Sequence, residues 1–258
     1  MTETRYYLTG WAVLAPAFAA LWALQTRTKD ASAVDAAWTF SLGAMGAFAA
    51  AGLPGDPGRR ALLAAMAVLW SLRLGLHLVV DRVAGKPEDG RYAALRREWG
   101  EDAGRRFFWF YQTQAASVVV LSLSFAAAAR RTAPLGALDA AAAALWALSV
   151  ACEASADRAL ARFRAEPANR GKTCREGLWA YSRHPNYFFE WLHWVALAAL
   201  APADWRAWIA PPAMLYLLLR VTGIPLTEAQ AVKSRGEDYR RYQRETSMFV
   251  PWFPRRLA

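Results

Sequence analysis

The apolar residues of this 258-residue chain are not spread in strand or amphipathic-helix periods. They are gathered into blocks of about 15 to 25 residues, and the charged residues fall mostly between the blocks. A hydrocarbon core about 30 Å thick is crossed by about 20 helical residues, so this segregation predicts an all-α, polytopic membrane protein. Composition agrees: 56% of the residues are apolar and 20% charged, a poor match to a soluble globule, a disordered tail or a collagen. A disulfide scaffold fits no better, because only two Cys are present. Cys152 lies in an apolar block and Cys174 in a basic loop, so neither a CxxC metal site nor a disulfide framework is offered.

Seven spans are expected: Tyr6 to Gln25, Ala36 to Leu53, Ala61 to Val80, Phe107 to Ala129, Gly136 to Ala156, Tyr187 to Ala201 and Trp205 to Val221. The second is marginal and the sixth short for a bilayer. Seven crossings put the chain ends on opposite faces. The face carrying the C-terminus then holds 23 of the 31 Lys+Arg and the other face six, with Arg73 and Arg220 inside spans. Positive loops stay on the cytoplasmic side, so the C-terminus is expected there. The same asymmetry accounts for the net charge of +10 without nucleic acid. Glu3 offsets Arg5, leaving no basic region before the first block, which reads as an uncleaved span. We expect one integral-membrane domain over residues 1–258, with the cofactor half roughly 73–258 and no protein partner evident.

Ionisable side chains are costly inside a bilayer and mark candidate functional positions. Trp70, Arg73, His77 and Asp81 follow spacings of three and four and share a helix face. Their structural alternative is an ion pair at the helix end, with Arg73 snorkelling. Glu153, Asp157 and Arg164 fall at i, i+4 and i+11, in line on a helix leaving the membrane. They read either as groups presented to one ligand or as a self-neutralising ladder. The densest stretch has Asn169, Gly171 and Lys172 in a turn, then GLWAYSRHPNYFFEWLHW from Gly177 to Trp194. Pro185 predicts a helix start, which puts Asn186, Glu190 and His193 on one face beside free helix N-terminal amides, a natural anchor for an anion.

Other chemistries find no motif. Three His, at 77, 184 and 193, lack a metal-ligand spacing, so no metal is expected. No GxSxG elbow, GxGxxG loop or Walker loop is present.

The string LWAYSRHPNYFFEW, preceded by ADRALARFRAEPANRGKTCREG and followed by GEDYRRYQRETSMFVPWFP, closely resembles the membrane steroid 5-alpha-reductase and sterol-reductase superfamily in its bacterial branch. VDAAW, LWSLRLGLHL and the loop KPEDGRY are similar to that branch as well, and the likeness covers most of residues 32 to 254. The resemblance implies a seven-helix fold, NADPH held at the cytoplasmic side, and reduction of a carbon–carbon double bond conjugated to a carbonyl. Asp157, Arg164, Lys172, Asn186 and Glu190 match cofactor-contacting positions. Arg73, Asn169, Tyr181, His184 and Glu228 complete the expected cofactor set. In the animal steroid enzymes an acid on the second span and a Tyr on the third polarise the substrate carbonyl. Here Asp35 takes the acid's place, but the third span offers Trp70 and no Tyr, leaving Tyr187, Tyr111 or His77 as substitutes.

The expected reaction is hydride transfer from NADPH to the β-carbon of a lipophilic enone such as a 3-keto-4-ene steroid. Asp35, kept protonated by burial, would hydrogen-bond the carbonyl oxygen. The density of cations favours NADPH over NADH. An integral-membrane S-adenosylmethionine-dependent methyltransferase of the isoprenylcysteine type shares an RHPxY string and is the enzyme alternative; a small transporter or scaffold is the non-enzyme one. High Ala and Arg content is compatible with a bacterial source and hence the inner membrane.

Overall fold

The computed structural model describes residues 1–221 and 223–255. Among these residues every regular element is helical. Eleven α-helices follow in order: α1 (Glu3–Thr28), α2 (Ala33–Gly52), α3 (Pro57–Leu78), α4 (Gly90–Trp99), α5 (Ala103–Leu121), α6 (Leu123–Arg130), α7 (Ala137–Ala165), α8 (Pro185–Ala198), α9 (Ala210–Tyr216), α10 (Ile224–Arg235) and α11 (Glu237–Glu245). The termini follow from local chemistry. Thr2 caps α1 by accepting from the Arg5 amide, and Asp56 caps α3 in the same way through Arg59, with Pro57 in the first turn. Lys29 ends α1 in the left-handed region at φ 58°, where its amide returns to the Gln25 carbonyl. Helix α8 starts at Pro185, as its ring geometry predicts.

Among the described residues, five helical runs are long and apolar enough to cross a membrane: Glu3–Thr28, Pro57–Val83, Gly90–Arg130, Ala137–Ala165 and Trp205–Arg235. They coincide with the first, third, fourth, fifth and seventh expected spans. The expected blocks at residues 36–53 and 187–201 do form helices, but α8 has 14 residues, too few to cross alone, and α2 is rich in Ala and Gly in place of Leu. In α1 and α7 only 17% and 22% of the apolar window is buried, so their apolar side chains face outward. That arrangement suits lipid and is unfavourable in water.

The chain divides into two compact units, Met1–Ala143 with Val195–Ala210, and Ala144–Trp194 with Pro211–Ala258. In the first, α2 and α3 approach closely because small residues line the seam. A Cβ on Gly43 would lie 2.4 Å from Ser71 Oγ, and one on Gly46 would lie 2.4 Å from the Ala67 Cβ. Ser71 donates across the seam to the Thr39 carbonyl at 2.9 Å. This is how helices associate where burial of apolar surface supplies no drive: backbones meet over small side chains and polar groups bond across.

Arg59 sets the other end of this unit. Its fully buried guanidinium grips Asp139 with two bonds, Nε to Oδ1 at 2.8 Å and Nη2 to Oδ2 at 2.7 Å. It also donates to the carbonyls of Arg131, Ala133 and Pro134, joining the start of α3, the 131–136 loop and the start of α7. Removing one partner strands the other charge, so Arg59→Ala is expected to lower the unfolding free energy by about 3–5 kcal/mol in denaturant titration of the detergent-solubilised protein. A change below about 1 kcal/mol, the size of an exposed pair, would contradict this account.

Candidate functional site

In the second unit, α7 and α8 bring together a row of polar side chains. Glu153 and Asp157 on α7 and Glu190 and His193 on α8 are all buried. Asn186, in the first turn of α8, donates from Nδ2 to Asp157 Oδ1 at 3.1 Å, and its own Oδ1 accepts from the Tyr187 amide. One turn on, Glu190 Oε1 accepts from Trp194 Nε1 at 3.0 Å. The i, i+4 and i+7 spacing read from the sequence therefore lies on one helix, and its first member meets the α7 acid.

The segment between these helices holds the expected cations. Asn169 Nδ2 donates to the Phe163 carbonyl at 3.0 Å, and Gly171 turns the chain at φ 79°, a left-handed angle that favours glycine. Arg164 and Lys172 are exposed here, and Tyr181 is exposed further on. The segment is pinned from two sides. Trp179 Nε1 donates to the Ala156 carbonyl of α7 at 2.9 Å. On α11, Tyr242 donates to the Trp179 and Ser182 carbonyls, and Asp238 accepts from the Thr173 amide at 2.7 Å.

Glu228, expected among the cofactor contacts, is a junction. Its Oε1 accepts from Arg183 Nε at 2.7 Å and Tyr239 at 3.3 Å and lies 3.2 Å from His184 Nε2, while Oε2 accepts from Gln243 at 2.8 Å. Four partners occupy the carboxylate, so Glu228 and His184 position the turn before α8. Tyr187 stacks on His184, with ring centroids 5.4 Å apart, and its hydroxyl meets Thr227 Oγ1 at 3.3 Å.

The remaining expected residues lie in the first unit: Arg73 and His77 on α3, Tyr111 on α5, and Asp35 on α2. Tyr111 donates to the Ala31 carbonyl at 3.4 Å. Asp35 has a different setting from the one expected. Arg91 Nη2 reaches its Oδ2 at 2.7 Å and Arg82 Nη1 at 3.2 Å, while Tyr92 donates to Oδ1 at 2.6 Å. Two guanidiniums hold Asp35 as a carboxylate, which corrects the expectation of a protonated acid. Asp89 in the adjoining loop completes the cluster by accepting from Arg91 at 3.0 Å; although burial pushes its pKa up, Arg91 and Arg82 hold it below the usual carboxylate range.

Tyr92, Arg82 and Arg91 were missed as site residues. Their signal was the KPEDGRY loop: Asp89 caps α4 through the Arg91 amide, Glu88 accepts from the Ala31 amide at 3.0 Å, and Ser32 accepts from the Asp89 amide at 2.8 Å. Clamped in this way, the start of α4 carries Tyr92 to Asp35. A separate groove of about 670 Å³ in the first unit is lined in part by Arg130, Arg131 and Arg206. Glu3 and Asp204 already pair with two of these cations and Asp139 lies 3.7 Å from the third, so it offers less to an anion than the 166–184 segment does.

Burial pushes the His184 ring below its ordinary pKa near 6.5, against Glu228, which favours the protonated form. The folded ring therefore stays neutral where the unfolded chain takes up a proton. Stability from this group is full above about pH 6.5 and falls as the pH drops below it, by at most about 1.4 kcal/mol per pH unit. Thermal unfolding followed from pH 8 to 5 is expected to show this loss in the native chain and a shallower one in His184→Gln; equal slopes would refute it.

Residues 21–246 match the family described as a protein of unknown function, DUF1295. No curated protein and no solved structure matches the chain. With nearly its whole length covered, the chain belongs to the DUF1295 family.

Proposed function

We propose that this protein is a membrane-embedded reductase that uses NADPH to saturate a carbon–carbon double bond conjugated to a carbonyl in a lipophilic substrate such as a 3-keto-4-ene steroid. The observation that carries the reading is the bond from Asn186 to Asp157, which joins an amide and buried carboxylates on α7 and α8 next to a cationic turn in the same unit. Membership of DUF1295, a family associated with the steroid 5-alpha-reductase-like superfamily, supports it.

The donor set suits a dinucleotide. Carboxylates at Asp157 and Glu190 accept from ribose hydroxyls or a carboxamide, while Arg164 and Lys172 suit phosphates. Among the described residues, Thr173 Oγ1 and Trp191 Nε1 are buried without a hydrogen-bond partner, and polar atoms left so are costly unless a ligand meets them. NADPH, when bound, supplies the hydride taken at the substrate β-carbon.

In the first unit the Tyr92 hydroxyl rests on the Asp35 carboxylate, whose charge Arg82 and Arg91 balance. Hydride at the β-carbon and a proton from water at the α-carbon together give the saturated ketone. The apolar outer faces of the helices let a greasy substrate arrive through lipid. We read α2, and α8 together with the residues that continue it to 204, as two further crossings, giving seven, with the C-terminus cytoplasmic and the protein in a bacterial inner membrane.

Purified protein with NADPH is expected to lose absorbance at the reduced-nicotinamide band when a 3-keto-4-ene steroid is added; silence across a panel of enones, or calorimetric binding of S-adenosylmethionine in place of NADPH, would overturn the reading. Asn186→Ala and Glu190→Ala are each expected to weaken NADPH binding about tenfold.

A further inference from the structure

The C-terminal strap carries its apolar side outward. Residues 248–252 run without helix, with bends at residues 248–250. Phe249 is the inward one: it is buried, with its ring 5.6 Å from Phe188 and 6.1 Å from Trp191 of α8. Met248, Val250 and Trp252 are 42%, 54% and 68% exposed, and Phe253 beside them is 75% exposed. A segment lying on a soluble surface turns its polar side chains to water.

This strap is held in place. Arg183 donates its amide to the Ser247 carbonyl at 2.8 Å, Ser182 Oγ donates to the Phe249 carbonyl at 2.8 Å, and the Trp252 amide donates to the Tyr181 carbonyl at 2.9 Å. The Arg255 amide closes the run on the Glu245 carbonyl at 2.8 Å. Tyr181, itself exposed, meets Phe253 edge to face at 6.0 Å. Four large apolar side chains are thus displayed on a fixed scaffold, and a contiguous patch of that kind marks a surface that something covers.

We infer that residues 248–253 form an interfacial anchor that sets Trp252 and Phe253 into the headgroup boundary of the bilayer. Lipid is the occupant the surroundings favour. The chain supplies helices long enough to cross a membrane, so a bilayer surface is at hand. Trp and its aromatic neighbours prefer the boundary between headgroups and acyl chains. From residue 233 onward the sequence has seven Lys and Arg against three Asp and Glu, and Arg240, Arg244 and Arg255 are exposed, which suits anionic headgroups. The inference does not depend on the proposed reductase activity.

The test places a nitroxide at Phe253→Cys and, as a control, at Arg240→Cys on α11, in full-length protein carrying Cys152→Ala and Cys174→Ala. The protein is reconstituted in phosphatidylethanolamine and phosphatidylglycerol vesicles. Oxygen concentrates in lipid and a nickel chelate in water, so the ratio of their collision rates is expected to be several-fold higher at 253 than at 240. Equal ratios would overturn the proposal. A probe at 253 shielded from both reagents would overturn it too, because a protein surface or a second copy would then cover the strap. Where removing the buried Cys174 prevents folding, the native chain answers by its Trp fluorescence. Quenching by brominated phospholipid is expected to fall in Trp252→Phe, and unchanged quenching would refute the anchor.

Discussion

An ionised side chain taken out of water is tolerated where an opposite charge or a full set of hydrogen bonds replaces the solvent, and the fold of this chain is arranged around that requirement. Arg59 is the plainest case: one guanidinium with no exposure, a bidentate acid and three carbonyls. Those carbonyls belong to the 131–136 loop, so the one charge both neutralises Asp139 and ties that loop to α3. Helices α3 and α7 start where they do in part because Arg59 and Asp139 meet beside their first turns.

The same requirement explains what Asp35 can be. An isolated buried carboxyl would stay protonated, and a reading based on burial alone arrives there. With Arg91 at 2.7 Å and Arg82 at 3.2 Å the balance reverses and the charged form is held. Tyr92 adds a third partner, its hydroxyl donating to the carboxylate at 2.6 Å. A neutral aspartic acid beside two arginines would be inconsistent with its surroundings.

How far the sequence could be read follows from the range of the interactions. Helical blocks, the start of α8 at Pro185 and the Asn186–Glu190–His193 face are set by residues within two turns of one another, and they were legible. So were the weak spans, since shortness shows in any window. Tyr92 lies 57 residues from Asp35, and its pairing depends on Glu88, Asp89 and Ser32 closing a loop onto α2, which no local pattern encodes. The partners of Glu228 were hidden for a related reason. An acid in a basic tail suggests ligand binding until the turn at Arg183 and His184 and the residues Tyr239 and Gln243 arrive to occupy it.

The second unit shows the converse of saturation. Glu228 has four partners and the Arg183 guanidinium meets the carbonyls of Gln243 and Thr246, so the turn before α8 is built as a rigid support. Close to it in sequence, Thr173 Oγ1 and Trp191 Nε1 are buried with no partner among the described residues. Buried polar atoms are satisfied as a rule, so these two mark where the second unit departs from it. Glu228, His184 and Arg183 belong to its support.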